Sequence, residues 1–229
     1  MFGEDKSFYT EKDLRVCMNL EINVAAVHKE LSNLDAIERI QWAYEKVGNE
    51  LMMLTSGGEK FAVMPTLMRL AIPNERMPII FIDTGEYPPS TYRSIQYLME
   101  ENFDVRIYSA PMSVTMQKVL FGEEPWKKGE ESFLLFRDRV KHQPLTQAMR
   151  ELSPIMLLNG RMNHQTQERN GLKFVEKMGH MYHCNAILDW TNETVNQFIE
   201  AHQLPRNPDH YDVTKSDKKS ECGIWHYEI

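Results

Sequence analysis

The 229-residue chain is poor in cysteine: Cys17, Cys184 and Cys222 form an odd and widely spaced set. Such a set is no disulfide framework, and it fits a reducing compartment best. A basic excess is also missing, because 33 Asp and Glu against 26 Lys and Arg leave a formal charge of -7. That excludes a protein built to hold duplex DNA or an anionic membrane nonspecifically, since both need a basic face. A few Lys and Arg focused into a cleft can still hold a small polyanion. No window approaches the ~18 continuous apolar residues that a membrane span needs. The opening Met-Phe-Gly-Glu-Asp-Lys is charged and no apolar stretch follows it, so no signal peptide is expected. The Walker A spacing and the dinucleotide Gly-x-Gly-x-x-Gly are absent. So are internal repeats and low-complexity segments. The expectation is a soluble cytoplasmic protein with neither nucleic acid nor membrane as partner.

What is present is an alternation of apolar runs and helical spacings. Asp35 can cap a helix in which Ile37, Ile40, Tyr44 and Val47 recur up to Gly48. Leu51 to Leu54 has the length of a buried strand, and Thr55-Ser56-Gly57-Gly58 follows it. Phe61, Val63, Met64, Leu67, Met68 and Ala71 then mark a helix of about a dozen residues ending near Pro73. Ile79 to Ile82 is an uninterrupted apolar run suited to a parallel strand covered on both faces. It places Asp83 and Thr84 at a strand's C-terminal end, where open α/β sheets bind ligands. Pro88 and Pro89 can open a helix whose buried stripe is Tyr92, Ile95, Leu98 and Met99.

Further strands are expected at Val105–Tyr108 and Pro154–Asn159, with short ones at Leu172–Val175 and His183–Leu188. The pattern weakens from Ala110 to Lys141, where Trp126 to Glu131 reads as a charged loop. Thr191 caps a last helix with Val195, Phe198 and Ile199 inward, and Gln203 to Ile229 is polar and Pro-punctuated. The fold class is therefore α/β, with an open, mostly parallel sheet flanked by helices. Its organisation is an N-terminal helical segment (1–34), an α/β domain (35–202) and a tail (203–229).

Three clusters can carry chemistry. The loop Thr55, Ser56, Gly57 and Gly58 between a strand and a helix start is either an ordinary βα turn or an anion cradle. Glu59 sits awkwardly beside a phosphate, because like charges repel. Lys141, Arg161 and Arg169, with His164, suit phosphate or sulfate, or else make surface ion pairs. Near the end, Lys218-Lys219-Ser220-Glu221-Cys222-Gly223-Ile224-Trp225-His226 sets a thiol among basic groups, which favours an accessible thiolate over a buried, inert cysteine. His180, His183 and Cys184 lie close in sequence but lack the paired spacing of a zinc site, so no metal is expected.

Glu221-Cys222-Gly223-Ile224 with His226 resembles the C-terminal motif of the phosphoadenylyl-sulfate (PAPS) reductase family. Ile80-Phe81-Ile82-Asp83-Thr84-Gly85, Tyr87-Pro88 and Thr91-Tyr92-Arg93 resemble its second strand and following helix. Gly160-Arg161, Gln165-Thr166, Arg169 and Ile187-Leu188-Asp189-Trp190 resemble its substrate segment and closing strand. Met162 stands where that family usually has a second Arg, and Trp225 is an extra residue before His226.

The resemblance implies an adenine-nucleotide α-hydrolase-like (PP-loop) fold, making 35–202 the nucleotide-binding domain and 203–229 the tail that carries the catalytic cysteine. It implies that Cys222 attacks the sulfate sulfur of PAPS and expels adenosine 3′,5′-bisphosphate. Thioredoxin or glutaredoxin then releases sulfite from the S-sulfocysteine, and a tail that swings lets one thiol meet both partners. Thr55, Ser56, Gly57, Gly58, Asp83, Thr84, Lys141, Arg161, Thr166, Arg169 and His226 are the implied substrate-binding residues. No bound cofactor is implied: relatives with a [4Fe–4S] cluster use Cys-Cys and Cys-x-x-Cys pairs, which this chain lacks. A homodimer is compatible with the resemblance. Two other readings are a PP-loop ATP pyrophosphatase or adenylyltransferase with Glu59 on Mg²⁺, and a nucleotide-binding relative without turnover.

Overall fold

The computed structural model describes residues 20–127, 130–165, 169, 171–210 and 212. Cys17, Thr166, Cys222 and His226 lie outside them. In chain order the elements are α1 (Val24–Leu31), α2 (Ala36–Val47), β1 (Leu51–Thr55), α3 (Val63–Ala71), β2 (Ile79–Asp83) and α4 (Pro89–Glu100). There follow β3 (Val105–Ser109), α5 (Val114–Phe121) and α6 (Glu130–Arg137), the last running into a π-helical turn at Asp138–His142. Then come α7 (Gln143–Leu152), β4 (Met156–Asn159), β5 (Val175–Met178), β6 (Met181–Asn185) and α8 (Asn192–Ala201).

The strands form one sheet of order β3-β2-β1-β4-β6-β5, parallel except where β5 runs antiparallel to β6. Strand order reverses between β1 and β4, so the crevice outside their C-terminal ends is the place for a ligand. Alternate residues feed the two faces. Leu51 and Met53 of β1 join Ile40 and Ala43 of α2 and the buried side of α3. Met52 and Leu157 face Leu145, Ala148 and Met149 of α7. Ile79 to Ile82 of β2 are all buried, as a strand covered on both faces requires.

Local signals explain several boundaries. Asp35 and Glu38 form a reciprocal capping box at the start of α2, and the Thr191 hydroxyl accepts from Thr194 N to open α8. The expected helix over Phe61 to Ala71 begins later, at Val63, because residues 59–62 form turns closed by Phe61 N to Gly58 O and Val63 N to Lys60 O. In α4 the buried stripe is Thr91, Ser94, Ile95 and Leu98, while Tyr92 and Met99 are exposed.

The charged loop expected at 126–131 instead contains a 3₁₀ turn at Pro125–Lys127 and the start of α6. The strands expected at Leu172–Val175 and His183–Leu188 are displaced: β5 only begins at Val175 and β6 ends at Asn185, the two forming a hairpin turned at Gly179 with positive φ. Ile187 and Leu188 are buried in a turn after the strand: burial without strand geometry.

The described residues from Leu20 onward are bonded to the sheet. Tyr182 Oη accepts from Ile22 N and donates to Leu20 O, both at 3.1 Å. Arg39 of α2 is 2% exposed and donates to Leu31 O, Ala186 O and both oxygens of Asp189, with its guanidinium over the Phe174 ring. Among the described residues no helix is long and apolar enough to cross a membrane.

Candidate active site

A cavity of about 410 Å³ opens outside the C-terminal ends of β1 and β4. One wall is the stretch from Met53 through Ser56, Gly58 and Lys60 to Met64. The other includes Gly160, Met162, Gln165 and Arg169, and His210 completes the lining. This is the crevice that the reversal of strand order predicts.

The loop after β1 is held from within and from outside. Thr55 Oγ1 accepts from Gly57 N at 3.2 Å, a hydroxyl-closed turn. Gly57 has φ +62°, and a Cβ there would come within 2.9 Å of Thr91 Cγ2, so both backbone angle and space demand glycine. Gly58 lies against the His210 ring, from which a Cβ would stand 3.5 Å away.

Asn207, 2% exposed, donates from Nδ2 to Gly57 O at 2.8 Å and from its backbone N to Glu59 O at 3.1 Å. Among the described residues no protein acceptor takes the amide N–H of Gly58, Glu59 or Lys60. Three successive unpaired amides beside a cavity suit an oxyanion. The donors are therefore loop amides, and the first turn of α3 stands farther along the chain, with Pro65 lacking an N–H.

Glu59 is accounted for by the same segment. Its carboxylate receives Arg206 Nη1 at 3.2 Å, while Arg206 Nη2 reaches Asn196 Oδ1 at 2.7 Å. Lys60 Nζ donates to Asn192 Oδ1 at 2.7 Å.

The other residues singled out from the sequence separate into groups. Thr55, Ser56, Gly58 and Arg169 line the cavity and Gly57 does not; Arg169 Nη1 donates to Gln165 Oε1. Asp83 ends β2, one strand away, where Oδ1 accepts from Gly85 N and Tyr92 Oη, both at 2.8 Å. Burial and the Asp83 carboxylate push the Tyr92 phenol upward. Thr84 is 1% exposed, and its carbonyl accepts from Gln117 Nε2.

Arg161 is not among the lining residues; Nη1 stands 3.8 Å from Glu176 Oε2 on β5. Lys141, on the π-helical turn, pairs with Asp212 at 3.1 Å, both side chains 4% exposed. Thr166, His226 and Cys222 fall outside the described residues. Met162 is 1% exposed and belongs to the main core, so an apolar residue suits that position.

His183 and Cys184 are neighbours on β6 and so point to opposite faces. His183 Nδ1 meets Asn159 Nδ2 at 3.1 Å, and burial, helped by Arg161, holds its pKa down to about 3. Burial pushes the Cys184 thiol up to about 12. It is an inert core thiol.

Sequence reading missed Asn207 and His210 as parts of this site. The available signal was the Pro205-x-Asn207-Pro208 run, which marks a turn but not what the turn touches.

Comparison with known proteins bears on the family and the fold. Residues 50–212 match the family described as "Phosphoadenosine phosphosulfate reductase domain". A phosphoadenosine 5′-phosphosulfate reductase of Synechocystis sp. is 33% identical over 189 residues, covering 82% of this chain and 75% of that protein. The structure of a Candida auris PAPS reductase in a phosphate complex superposes with a TM-score of 0.71 at 22% identity, covering 82% of this chain and 91% of the other. A U34-tRNA thiolase from Methanococcus maripaludis with its [4Fe–4S] cluster shares the fold at a TM-score of 0.50 and 13% identity, over 82% of this chain and 68% of its own. With the family match spanning residues 50–212 and a curated relative 33% identical, the chain belongs to the phosphoadenosine phosphosulfate reductase family.

Proposed function

We infer that the protein reduces 3′-phosphoadenylyl sulfate to sulfite and adenosine 3′,5′-bisphosphate, in the context of sulfate assimilation. The observation that carries this reading is the cradle of unpaired amides at Gly58, Glu59 and Lys60 in the crevice between β1 and β4. It would receive a sulfate or phosphate group of the nucleotide, with Thr55, Ser56, Gly57 and Arg169 around it. Asp83 and Thr84 mark the neighbouring strand end. Lys141, Arg161, Thr166 and His226 are the further binding residues of the proposal.

The Cys222 thiolate attacks the sulfur, the S–O bond to the phosphate breaks, and adenosine 3′,5′-bisphosphate leaves with the electron pair. The enzyme then carries S-sulfocysteine. A thioredoxin dithiol supplies two electrons, releasing sulfite and ending as a disulfide. Lys218, Lys219 and His226 near Cys222 support the ionised thiol. A four-thiolate cluster does not fit a chain with three cysteines, of which Cys184 is fully buried in β6. The ATP pyrophosphatase alternative needs Glu59 for Mg²⁺, but that carboxylate is engaged by Arg206.

Replacing Cys222 by Ser should abolish sulfite release from PAPS and leave nucleotide binding within about twofold, since serine lacks the soft nucleophile. Sulfite release that survives the substitution would overturn the reading.

A further inference from the structure

The segment from Leu204 to Asp212 crosses the loop after β1 and makes contacts that no strand or helix requires. Asn207 secures two carbonyls, those of Gly57 and Glu59, through its side-chain amide and its backbone N–H. Nδ2 also stands 3.4 Å from Thr91 Oγ1 on α4. Arg206 engages the Glu59 carboxylate, His210 lies over Gly58, and Asp212 is buried against Lys141.

The peptide unit turns these bonds into an orienting device. The peptide bonds are trans and planar, so each C=O points opposite to the N–H of the next residue. A Gly57 carbonyl drawn toward Asn207 sends the Gly58 N–H away from it, and a Glu59 carbonyl drawn the same way does so for Lys60. Gly58 and Lys60 line the cavity, whereas Asn207 does not. The intervening Gly58 carbonyl is held separately by Phe61 N at 3.0 Å, which fixes the Glu59 N–H without help from Asn207.

We propose that Asn207 is a positioning residue for the substrate anion, holding the peptide planes that aim the Gly58 and Lys60 amides into the cavity. It touches no reacting atom and acts through the loop. The inference rests on the reading that an oxyanion of the substrate occupies this cradle. It adds that the root of the segment leading to Cys222 shapes the anion site.

The test is an amide NMR titration of the full chain with adenosine 3′,5′-bisphosphate, and separately with inorganic sulfate, in the wild type and in Asn207→Ala. In the wild type the Gly58, Glu59 and Lys60 amides shift on binding. Asn207→Ala removes the side-chain donor to Gly57 and keeps the backbone donor to Glu59. The Gly58 response should therefore collapse while those of Glu59 and Lys60 persist, and the dissociation constant should rise about tenfold, the loss of one good hydrogen bond. Asn207→Asp keeps the size but not the donor, and should give the same selective loss if the alanine variant folds poorly.

A variant that binds within twofold with an unchanged Gly58 response would overturn the role of Asn207 and leave the substrate reading standing. A wild type whose three amides ignore both adenosine 3′,5′-bisphosphate and inorganic sulfate would overturn the anion-site reading itself, and the proposal with it.

Discussion

His183 shows how far one residue's surroundings decide its chemistry. It is 1% exposed, shares Nδ1 with Asn159 and has the Arg161 charge nearby. Below the ordinary value of 6.5 an unfolded chain takes up a proton that the folded chain refuses until about pH 3. The unfolded state thus binds more protons in that window, and stability falls with acidification by up to about 1.4 kcal/mol per pH unit. Urea unfolding at pH 7 and pH 5 should show a shallower pH dependence for His183→Gln than for the wild type. An identical dependence in both would contradict a neutral buried imidazole.

The two loop glycines separate by the same residue-level logic. Gly57→Ala meets positive φ and Thr91 at 2.9 Å, and should lose about 1–3 kcal/mol. Gly58→Ala meets only ordinary contacts at 3.5 Å and should change stability by less than about 0.5 kcal/mol. Thermal unfolding of the pair checks the contrast, and equal losses would refute it.

At the scale of elements, the helix ends carry signals that act within a few residues. Asp35→Ala removes half of the capping box of α2 and should cost about 1 kcal/mol, read as a lower urea midpoint. Such caps, and the continuous apolar run of β2, were legible because their physics is local. The strap from Leu204 to Asp212 was not. Its decisive bond joins Asn207 to a backbone carbonyl 150 residues away. A backbone acceptor leaves no side-chain signature, and an Asn before Pro reads as any turn.

The one-residue rotation of α4 has a similar cause. Tyr92 looks apolar enough for the core, yet its hydroxyl reaches Asp83 and Thr91 takes the buried place against Gly57. Ile187 and Leu188 misled in the other direction, since burial in a turn looks like a strand when only hydrophobicity is read. Of the candidate site, the Ser-Gly-Gly loop and the turn at Gly160 were legible from their place after apolar runs. The engagement of Lys141 by Asp212 and of Glu59 by Arg206 depends on the tertiary path of the chain.

Across the whole molecule, Arg39 ties the end of α1, helix α2 and the segment after β6 into one body through four side-chain hydrogen bonds. Arg39→Lys keeps a charge but loses the fork, and should lower unfolding stability by about 2 kcal/mol. Its sulfite release, assayed well below the unfolding transition, should match the wild type. A variant as stable as wild type would contradict the structural role.

The fold provides the crevice proposed for the nucleotide, and the proposed chemistry belongs to the thiol of Cys222. The most direct measurement is intact-mass analysis of the full chain after mixing with PAPS and without reductant. The expected result is a gain of one SO₃ group, mapped to Cys222 and removed by reduced thioredoxin. A chain that releases sulfite while unmodified, or that carries the group on Cys184 or another residue, would contradict it.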